Sequence, residues 1–184
     1  MTREQLEHAI RASGYVARDA ELIVLGSQAI LGQFPDAPAD LLFSMEVDVY
    51  PKNRPERADL IDGALGMDSL FQETHGFYVH GVGPETATLP AGWEGRLVPV
   101  QGPMTDGNTG WCLEVHDLAA SKLAAGREKD LEYVAALFRH GLADPDEVVR
   151  RAAALPLSSA YSSAARDLAV HRAERLAREA CETD

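Results

Sequence analysis

The 184-residue sequence has only two cysteines, Cys112 and Cys181, and they lie far apart in the chain. Two isolated cysteines do not form the disulfide framework that stabilises many secreted proteins. The N-terminal segment MTREQLEHAI is charged and amphipathic, unlike a signal peptide. No apolar run approaches the roughly 18 residues that a membrane-spanning helix needs. We therefore expect a cytoplasmic protein with no membrane partner.

Basic residues are also scarce. The sequence has 17 Lys and Arg residues against 29 Asp and Glu residues, which gives a formal net charge of -12. Non-specific binding of nucleic acid depends on basic side chains that neutralise phosphates, so this balance argues against duplex DNA as a partner. It is compatible with a local basic patch, or with a small phosphorylated substrate that is carried with a metal ion.

Three widespread catalytic signatures are absent: the Gly-x-Ser-x-Gly nucleophile elbow, the P-loop and the glycine-rich dinucleotide fingerprint. The histidines give no clear signal either. His75, His80 and His116 do not follow a recognisable metal-ligand spacing. We interpret them as surface histidines or as histidines whose hydrogen bonds are satisfied within the fold.

Hydrophobic periodicity predicts an α+β half followed by a helical half. Strands are predicted at 21–25, 46–50, 77–81, 96–100 and 111–115. Helices are predicted at 2–13, at 28–33 with Ser27 as the N-cap, at 55–65, and through most of the chain after residue 116. The charged tail after about residue 172 is expected to fray.

This order of elements predicts an α+β fold, in which a mixed β-sheet is flanked by helices and followed by a C-terminal helical region. The α+β core is expected to span residues 1–115, and the helical region 116–184. We expect the helical region to pack on the core as part of one structural unit.

The turn between the first strand and the next helix contains Gly26 and Ser27. A glycine there lets the backbone approach a ligand closely, and a helix N-terminus offers N–H groups to an anion such as phosphate. The pair is therefore a candidate nucleotide-binding turn. A purely structural Gly-Ser turn is the common alternative.

Two carboxylates, Glu46 and Asp48, are predicted on one face of the second strand. Residues 45–50 (MEVDVY) alternate strictly, so side chains at i and i+2 project side by side. Mg²⁺ is held in proteins by one or two carboxylates together with phosphate oxygens and water. Glu46 and Asp48 are thus candidate metal ligands, and the alternative is the solvated face of an edge strand.

The segment 116–130 supplies a second pair of candidates, Lys122 and Asp130. Lys122 lies four residues after Leu118, at the edge of an apolar helix face, where its ammonium could reach a phosphate. Asp130 follows a predicted break at Gly126, so it lies in the first turn of the next helix, where acids are favoured. The alternatives are solvation for Lys122 and a helix-terminal role for Asp130.

In this order the three features resemble the nucleotidyltransferase superfamily of DNA polymerase β-like enzymes: a strand, Gly-Ser, a helix, then two acids at i and i+2. The later segment is similar to the AbiEii-type branch, and most of all to the bacterial proteins grouped as DUF6036. Three phrases carry this last resemblance, at 46–52 (EVDVYPK), 89–98 (LPAGWEGRLV) and 116–122 (HDLAASK). The resemblance spans about residues 20–140.

The resemblance implies a mixed sheet, a nucleoside triphosphate (NTP) substrate and Mg²⁺ or Mn²⁺ as cofactor. In AbiEii-type toxins, the matching positions are Ser27 for the triphosphate, Asp48 for the metal, Lys122 for phosphate and Asp130 as an accessory acid. The first acid here is Glu46 rather than Asp, and the loop before it, with Pro35 and Pro38, is long. A third acid is not evident in the sequence: His80 occupies one candidate position, and Glu85 or Glu114 is an alternative.

Two functions from different classes follow. The first is a metal-dependent nucleotidyltransferase that moves NMP from an NTP to an RNA or protein acceptor. Such an enzyme could be the toxin of a toxin–antitoxin pair, with an antitoxin protein as its partner. The second is a catalytically inactive nucleotidyltransferase-like module that binds a nucleotide or a protein. The acidic charge favours the second function or a protein acceptor, since a tRNA acceptor favours a basic surface. An oligomeric stress protein without a ligand is a third alternative.

Overall fold

The structure is a computed structural model and describes residues 1–182. It is 57% helical, so the predicted excess of helix over strand is confirmed. The chain forms two compact units. One comprises Met1–Thr86 and Leu97–Glu114, and the other comprises Ala87–Arg96 and the chain from Val115 onward. None of the helices in the described residues is long and apolar enough to cross a membrane.

The first unit contains a five-stranded mixed sheet, as predicted. Its strands are β1 (Glu21–Leu25), β2 (Glu46–Pro51), β3 (Tyr78–Gly81), β4 (Val98–Val100) and β5 (Thr109–Cys112). Their order across the sheet is β3-β2-β1-β5-β4. β1 runs antiparallel to β2 and parallel to β5, β3 runs parallel to β2, and β4 runs antiparallel to β5. The last strand lies earlier than the predicted 111–115, because the chain is already helical at Val115.

Four α-helices belong to this unit: α1 (Arg3–Ala17), α2 (Ile30–Gln33), α3 (Ala58–Leu65) and α4 (Leu70–His75). α1 begins at a capping box, in which Thr2 accepts a hydrogen bond from the Gln5 backbone N–H and the Gln5 side chain accepts one from that of Thr2. Ile10 of α1 lies directly against β5 at Gly110. A Cβ at Gly110 would lie 2.3 Å from Ile10 Cδ1, so a larger residue there would force the Ile10 side chain to shift.

α1 therefore covers the apolar face of the sheet. The same built Cβ at Gly110 would lie 3.5 Å from Val24 Cγ2, and Val24 pairs with Val49 across β1 and β2. Val24, Val47 and Val49 are all fully buried. Since side chains alternate along a strand, the residues at 46 and 48 point to the opposite face. The apolar alternation of the sequence thus decides which face of β2 is free for polar side chains.

The helix after the Gly26-Ser27 turn is shorter than expected. A 3₁₀ turn spans Ser27–Ala29, and α2 adds only four residues. The prediction of Ser27 as the N-cap is wrong: Gly26 holds that position, with φ of 63°, and Ser27 is the first residue of the 3₁₀ turn. A backbone with positive φ suits glycine and strains any other residue.

The second unit contains α5 (Val115–Ala125), α6 (Glu128–Arg139), α7 (Pro145–Ala153) and α8 (Ser163–Cys181). Asp144 and Ser162 cap the last two helices, each accepting hydrogen bonds from backbone N–H groups of the first turn. The expected fraying after residue 172 is wrong, because α8 continues to Cys181 and buries Ala173 and Leu176.

Asp117 of α5 joins three segments of the second unit. It is fully buried, and its carboxylate accepts hydrogen bonds from Arg96 Nε at 2.8 Å and from Arg151 Nη1 at 3.0 Å. Arg96 thereby attaches segment 87–96 to α5, and Arg151 attaches α7. A buried carboxylate that two guanidinium groups contact is held firmly, because a buried ion pair is costly to break.

Candidate metal centre

Neighbouring strands bring four polar side chains to one edge of the sheet in the first unit. Glu46 and Asp48 lie two residues apart on β2, on the face opposite the buried valines. β3 pairs with β2 in parallel, with Glu46 opposite Tyr78 and Asp48 opposite His80. The side chains at i and i+2 of both strands therefore point to the same side of the sheet.

An imidazole nitrogen lies between the two carboxylates. His80 Nδ1 is 2.8 Å from Glu46 Oε1 and 3.1 Å from Asp48 Oδ1. The Tyr78 hydroxyl donates to the other Glu46 oxygen, Oε2, at 3.2 Å. One ligand atom from each of Glu46, Asp48 and His80 lies within 4.8 Å of the other two, and no other such group of three occurs in residues 1–182.

The turn at Gly26 closes over Asp48. The antiparallel register of β1 and β2 sets Leu25 opposite Asp48, so the next residue, Gly26, passes beside the carboxylate. A Cβ built on Gly26 would lie 2.1 Å from Asp48 Oδ2. Glycine is thus favoured here for two reasons: the backbone has a positive φ, and a side chain at this position would force the Asp48 carboxylate to move.

Burial and charge both act on the Asp48 carboxyl. Its side chain is 25% exposed. Burial, followed by the negative charge of Glu46 and the hydrogen bond to it, raises the pKa of Asp48 to about 6, although His80 opposes this. Burial lowers the pKa of His80, but hydrogen bonds and charges from Asp48 and Glu46 outweigh it, and the net pKa is above its ordinary value. The fold therefore holds two carboxylates close together, where a bound cation would offset their mutual repulsion.

The donor set fits a divalent cation. Two carboxylates and an imidazole can each give a ligand atom, and each is only partly exposed, with 33% for the Glu46 side chain, 25% for Asp48 and 44% for His80. The cluster is open enough for further ligands from solvent or from a phosphate. The Tyr78 hydroxyl orients Glu46 from outside the set, as outer-shell hydrogen bonds commonly do for metal ligands.

Lys122 and Asp130 lie in the second unit and contact each other. Lys122 Nζ is 3.4 Å from Asp130 Oδ1 and 4.4 Å from the centre of the Tyr133 ring. Asp130 also accepts hydrogen bonds from the backbone N–H and the guanidinium of Arg127, so it occupies the helix-terminal position foreseen as its alternative role. The Lys122 ammonium is thus enclosed by a carboxylate and an aromatic face.

The environment of Asp130 keeps it ionised. Burial raises the pKa of its carboxyl, but the hydrogen bond from Arg127 and the positive charges of Lys122 and Arg127 outweigh this and hold the pKa below its ordinary value. Asp130 therefore presents an ionised carboxylate to the Lys122 side chain. The alternative for Lys122, a solvated side chain, does not hold, since the side chain is 10% exposed.

Sequence reasoning left His80 open and did not include Tyr78. The signal that could have found both is a second i, i+2 pair, Tyr78-x-His80, on a strand predicted to lie in the same sheet as Glu46-x-Asp48. Glu85 and Glu114, the other candidates for a third ligand, do not join this cluster. The histidine, and not a third carboxylate, completes the set in the described part of the chain.

The chain matches a protein-family model. The model of a family described as a nucleotidyltransferase of unknown function, DUF6036, matches residues 4–172. Comparison with curated proteins and with solved structures gives no match. The family match covers both units, from α1 to α8. A nucleotidyltransferase family implies, in general, NTP substrates and a divalent metal.

Proposed function

Because the chain belongs to the DUF6036 family of nucleotidyltransferases, we propose that it transfers NMP from an NTP to an RNA or protein acceptor at the Glu46–Asp48 centre. The observation that carries the proposal is the convergence of Gly26, Glu46, Asp48 and His80 at one edge of the sheet. In the transfer, an acceptor hydroxyl oxygen bonds to the α-phosphorus while the bond from that phosphorus to pyrophosphate breaks. The hydroxyl proton passes to solvent.

A divalent ion, when bound, offsets the charge that develops on the phosphate oxygens. Asp48 and Glu46 supply the carboxylate oxygens for that ion, and Mg²⁺ or Mn²⁺ is the expected occupant. Tyr78 donates to Glu46 Oε2, which leaves Glu46 Oε1 turned toward His80. Gly26 leaves space for Asp48 Oδ2, so the carboxylate keeps its position beside the turn. We assign Gly26 and Ser27 to the nucleotide, since backbone at a glycine turn approaches phosphates closely.

We extend the proposal to Lys122 and Asp130 in the roles that the family resemblance implies, a phosphate contact and an accessory acid. Their support is the contact between them: Lys122 Nζ lies 3.4 Å from Asp130 Oδ1, and the pKa of the Asp130 carboxyl is held below its ordinary value. Lys122→Met keeps the length and removes the charge, whereas Lys122→Arg keeps the charge. A loss of transfer in the first variant alone, with both variants folded, supports the phosphate role. Equal unfolding free energies with unchanged transfer would count against it.

The net charge of -12 decides which acceptors we favour. An extended RNA surface needs a positive electrostatic footprint, so a protein acceptor or a short RNA end is preferred. A role as the toxin of a toxin–antitoxin pair is part of this proposal, with an antitoxin protein as partner.

A second function, an inactive module that binds nucleotide or protein, is favoured by one observation. His80 lies between the two acids, where the DNA polymerase β-like superfamily is expected to offer a third carboxylate. With one negative charge fewer, such a centre would bind an ion–triphosphate complex less strongly while retaining the fold.

The test is to incubate the purified protein with each labelled NTP, Mg²⁺ or Mn²⁺, and a pool of cellular RNA and protein. Transfer of label that disappears in Asp48→Asn but persists in Asp36→Asn supports the enzyme. Asp36 is an exposed acid in the loop before β2, which makes it a matched control. No labelled product with any NTP, together with no thermal shift from NTP and metal, would contradict catalysis. A thermal shift without product would favour the binding module.

A further inference from the structure

His80 gives the metal centre a nitrogen donor that a centre built only of acids lacks. Its Nδ1 is the atom that faces both carboxylates, at 2.8 Å from Glu46 Oε1 and 3.1 Å from Asp48 Oδ1. The three ligand atoms are close enough to bind one ion together. The set is therefore two oxygens and one nitrogen.

The backbone fixes His80 in this position. β3 is hydrogen-bonded to β2 on both sides of the histidine: the Tyr78 N–H donates to Met45 O at 3.0 Å, and the Val82 N–H donates to Val49 O at 3.0 Å. Val79, the residue before His80, is fully buried and points the opposite way. The strand backbone therefore holds the imidazole beside the two carboxylates, as β2 holds the carboxylates themselves.

Ligand chemistry then separates the candidate ions. Mg²⁺ is a hard cation that takes oxygen ligands and keeps several waters. Imidazole nitrogen suits first-row transition metals such as iron, nickel and zinc. Mn²⁺ has the lowest affinity of that series for a given site, which makes it the most stringent member with which to test a preference over Mg²⁺. A nitrogen in place of a third carboxylate lowers the affinity for Mg²⁺ more than that for a transition metal ion, because it removes a negative charge and adds a softer donor.

We propose that His80 is a metal ligand that makes this centre select a divalent first-row transition metal ion, represented by Mn²⁺, over Mg²⁺. The inference rests on the proposed function and deepens it by naming the class of ion that the same centre takes. His80→Asp replaces the nitrogen donor with a carboxylate and gives an all-oxygen ligand set. We therefore expect it to lower the ratio of Mn²⁺ affinity to Mg²⁺ affinity.

The test uses Mn²⁺ and Mg²⁺ alone, without nucleotide. Pulsed EPR of Mn²⁺ bound to the wild-type protein is expected to show ¹⁴N coupling from a directly bound imidazole. Titrations that follow free Mn²⁺, with Mg²⁺ as competitor, are expected to give a ratio of Mn²⁺ to Mg²⁺ affinity that falls by about tenfold or more in His80→Asp. Even the loss of an outer-shell partner of a metal ligand typically costs about 10–100-fold in metal affinity. His171→Asp, at an exposed histidine of α8, is the matched control and keeps the wild-type ratio.

Bound Mn²⁺ without ¹⁴N coupling, or an unchanged affinity ratio in folded His80→Asp, would overturn the inference. The EPR measurement needs no variant, so it decides the question even when His80→Asp does not fold. Either of these failures, combined with label transfer that depends on Asp48, leaves the proposed function intact. If ¹⁴N coupling is seen but no label is transferred, only the proposed function is contradicted. If the wild-type protein binds neither Mn²⁺ nor Mg²⁺, both the proposed function and the role of His80 are contradicted.

Discussion

The Asp48 carboxylate lies in the space that a side chain at Gly26 would occupy. A Cβ at Gly26 would be 2.1 Å from Asp48 Oδ2, and the Gly26 backbone has φ of 63°. The two residues are 22 positions apart in sequence and meet because Leu25 pairs with Asp48 across β1 and β2. The Gly26 turn thus leaves the space that the Asp48 carboxylate fills.

Gly26→Ala should weaken metal binding and the fold together. The methyl group forces Asp48 to move, and a positive φ costs a non-glycine residue about 1–3 kcal/mol. We expect the free energy of unfolding in urea to fall by about that amount and the metal affinity to fall with it. Gly63→Ala, in α3 with no atom within 4 Å of the new methyl, is the control and should leave the fold equally or more stable. Unchanged metal affinity in a folded Gly26→Ala protein would refute the proposed contact.

Asp48→Asn should separate function from stability. The substitution removes the carboxylate whose pKa is raised to about 6 by burial and by Glu46, so it relieves an unfavourable buried charge at neutral pH. We expect the melting temperature without metal to stay the same or rise, while the thermal shift caused by Mn²⁺ disappears. A melting temperature that falls by many degrees without metal would instead assign Asp48 a structural role.

Metal affinity should depend on pH around 6. Protons compete with the ion for Asp48, whose pKa is about 6, and for His80, whose pKa is also raised. Below pH 6 we expect the affinity for Mn²⁺ to fall by about tenfold per pH unit for each proton displaced. Calorimetric titration at pH 5.5, 6.5 and 7.5 measures this, and a pH-independent affinity would exclude Asp48 as a ligand.

Without metal, the same groups should make the fold more stable at mildly acidic pH. The folded-state pKa of Asp48 is raised, so its carboxylate destabilises the fold above about pH 6 and this cost is lost as the pH falls toward 3.8. The pKa of His80 is raised, so its contribution is present below 6.5 and is lost as the pH rises through the folded value. We expect the stability gained by Asp48→Asn to be larger at pH 7.5 than at pH 5. Urea denaturation of both proteins at pH 5 and pH 7.5 measures this difference. An equal gain in unfolding free energy at the two pH values would contradict the raised pKa of Asp48.

Asp117→Asn should destabilise the second unit strongly. The residue is fully buried, and Arg96 and Arg151 both donate to its carboxylate. Removing one member of a buried ion pair costs about 3–5 kcal/mol. Asp167→Asn, at an exposed position of α8, is the matched control and should change the unfolding free energy by less than about 0.5 kcal/mol. Similar unfolding midpoints for the two variants would show that the Asp117 network contributes little.

The sequence by itself determined the fold class and the face of β2. Strict alternation over 45–50 is enough to put Glu46 and Asp48 on one side and the valines on the other, because the side-chain period of a strand is two. Helical spacing after residue 116 likewise predicted the helical region. Helix ends were less predictable. Ser27 was predicted as the N-cap, a position that Gly26 occupies, and α8 extends beyond the expected end because Ala173 and Leu176 remain buried.

Only the tertiary structure decided which residues meet. Strand register is a long-range property, fixed by packing of whole faces, and local periodicity does not encode it. The antiparallel register of β1 and β2 brings Gly26 to Asp48, and the parallel register of β2 and β3 brings His80 rather than Glu85 or Glu114 to the two acids. Lys122 and Asp130 were predicted as a pair of candidates, and the turn between α5 and α6 brings them into an ion pair. Residue type and side-chain alternation therefore determine which polar groups each strand can present. Strand register decides that the third group beside the two acids is the imidazole nitrogen of His80.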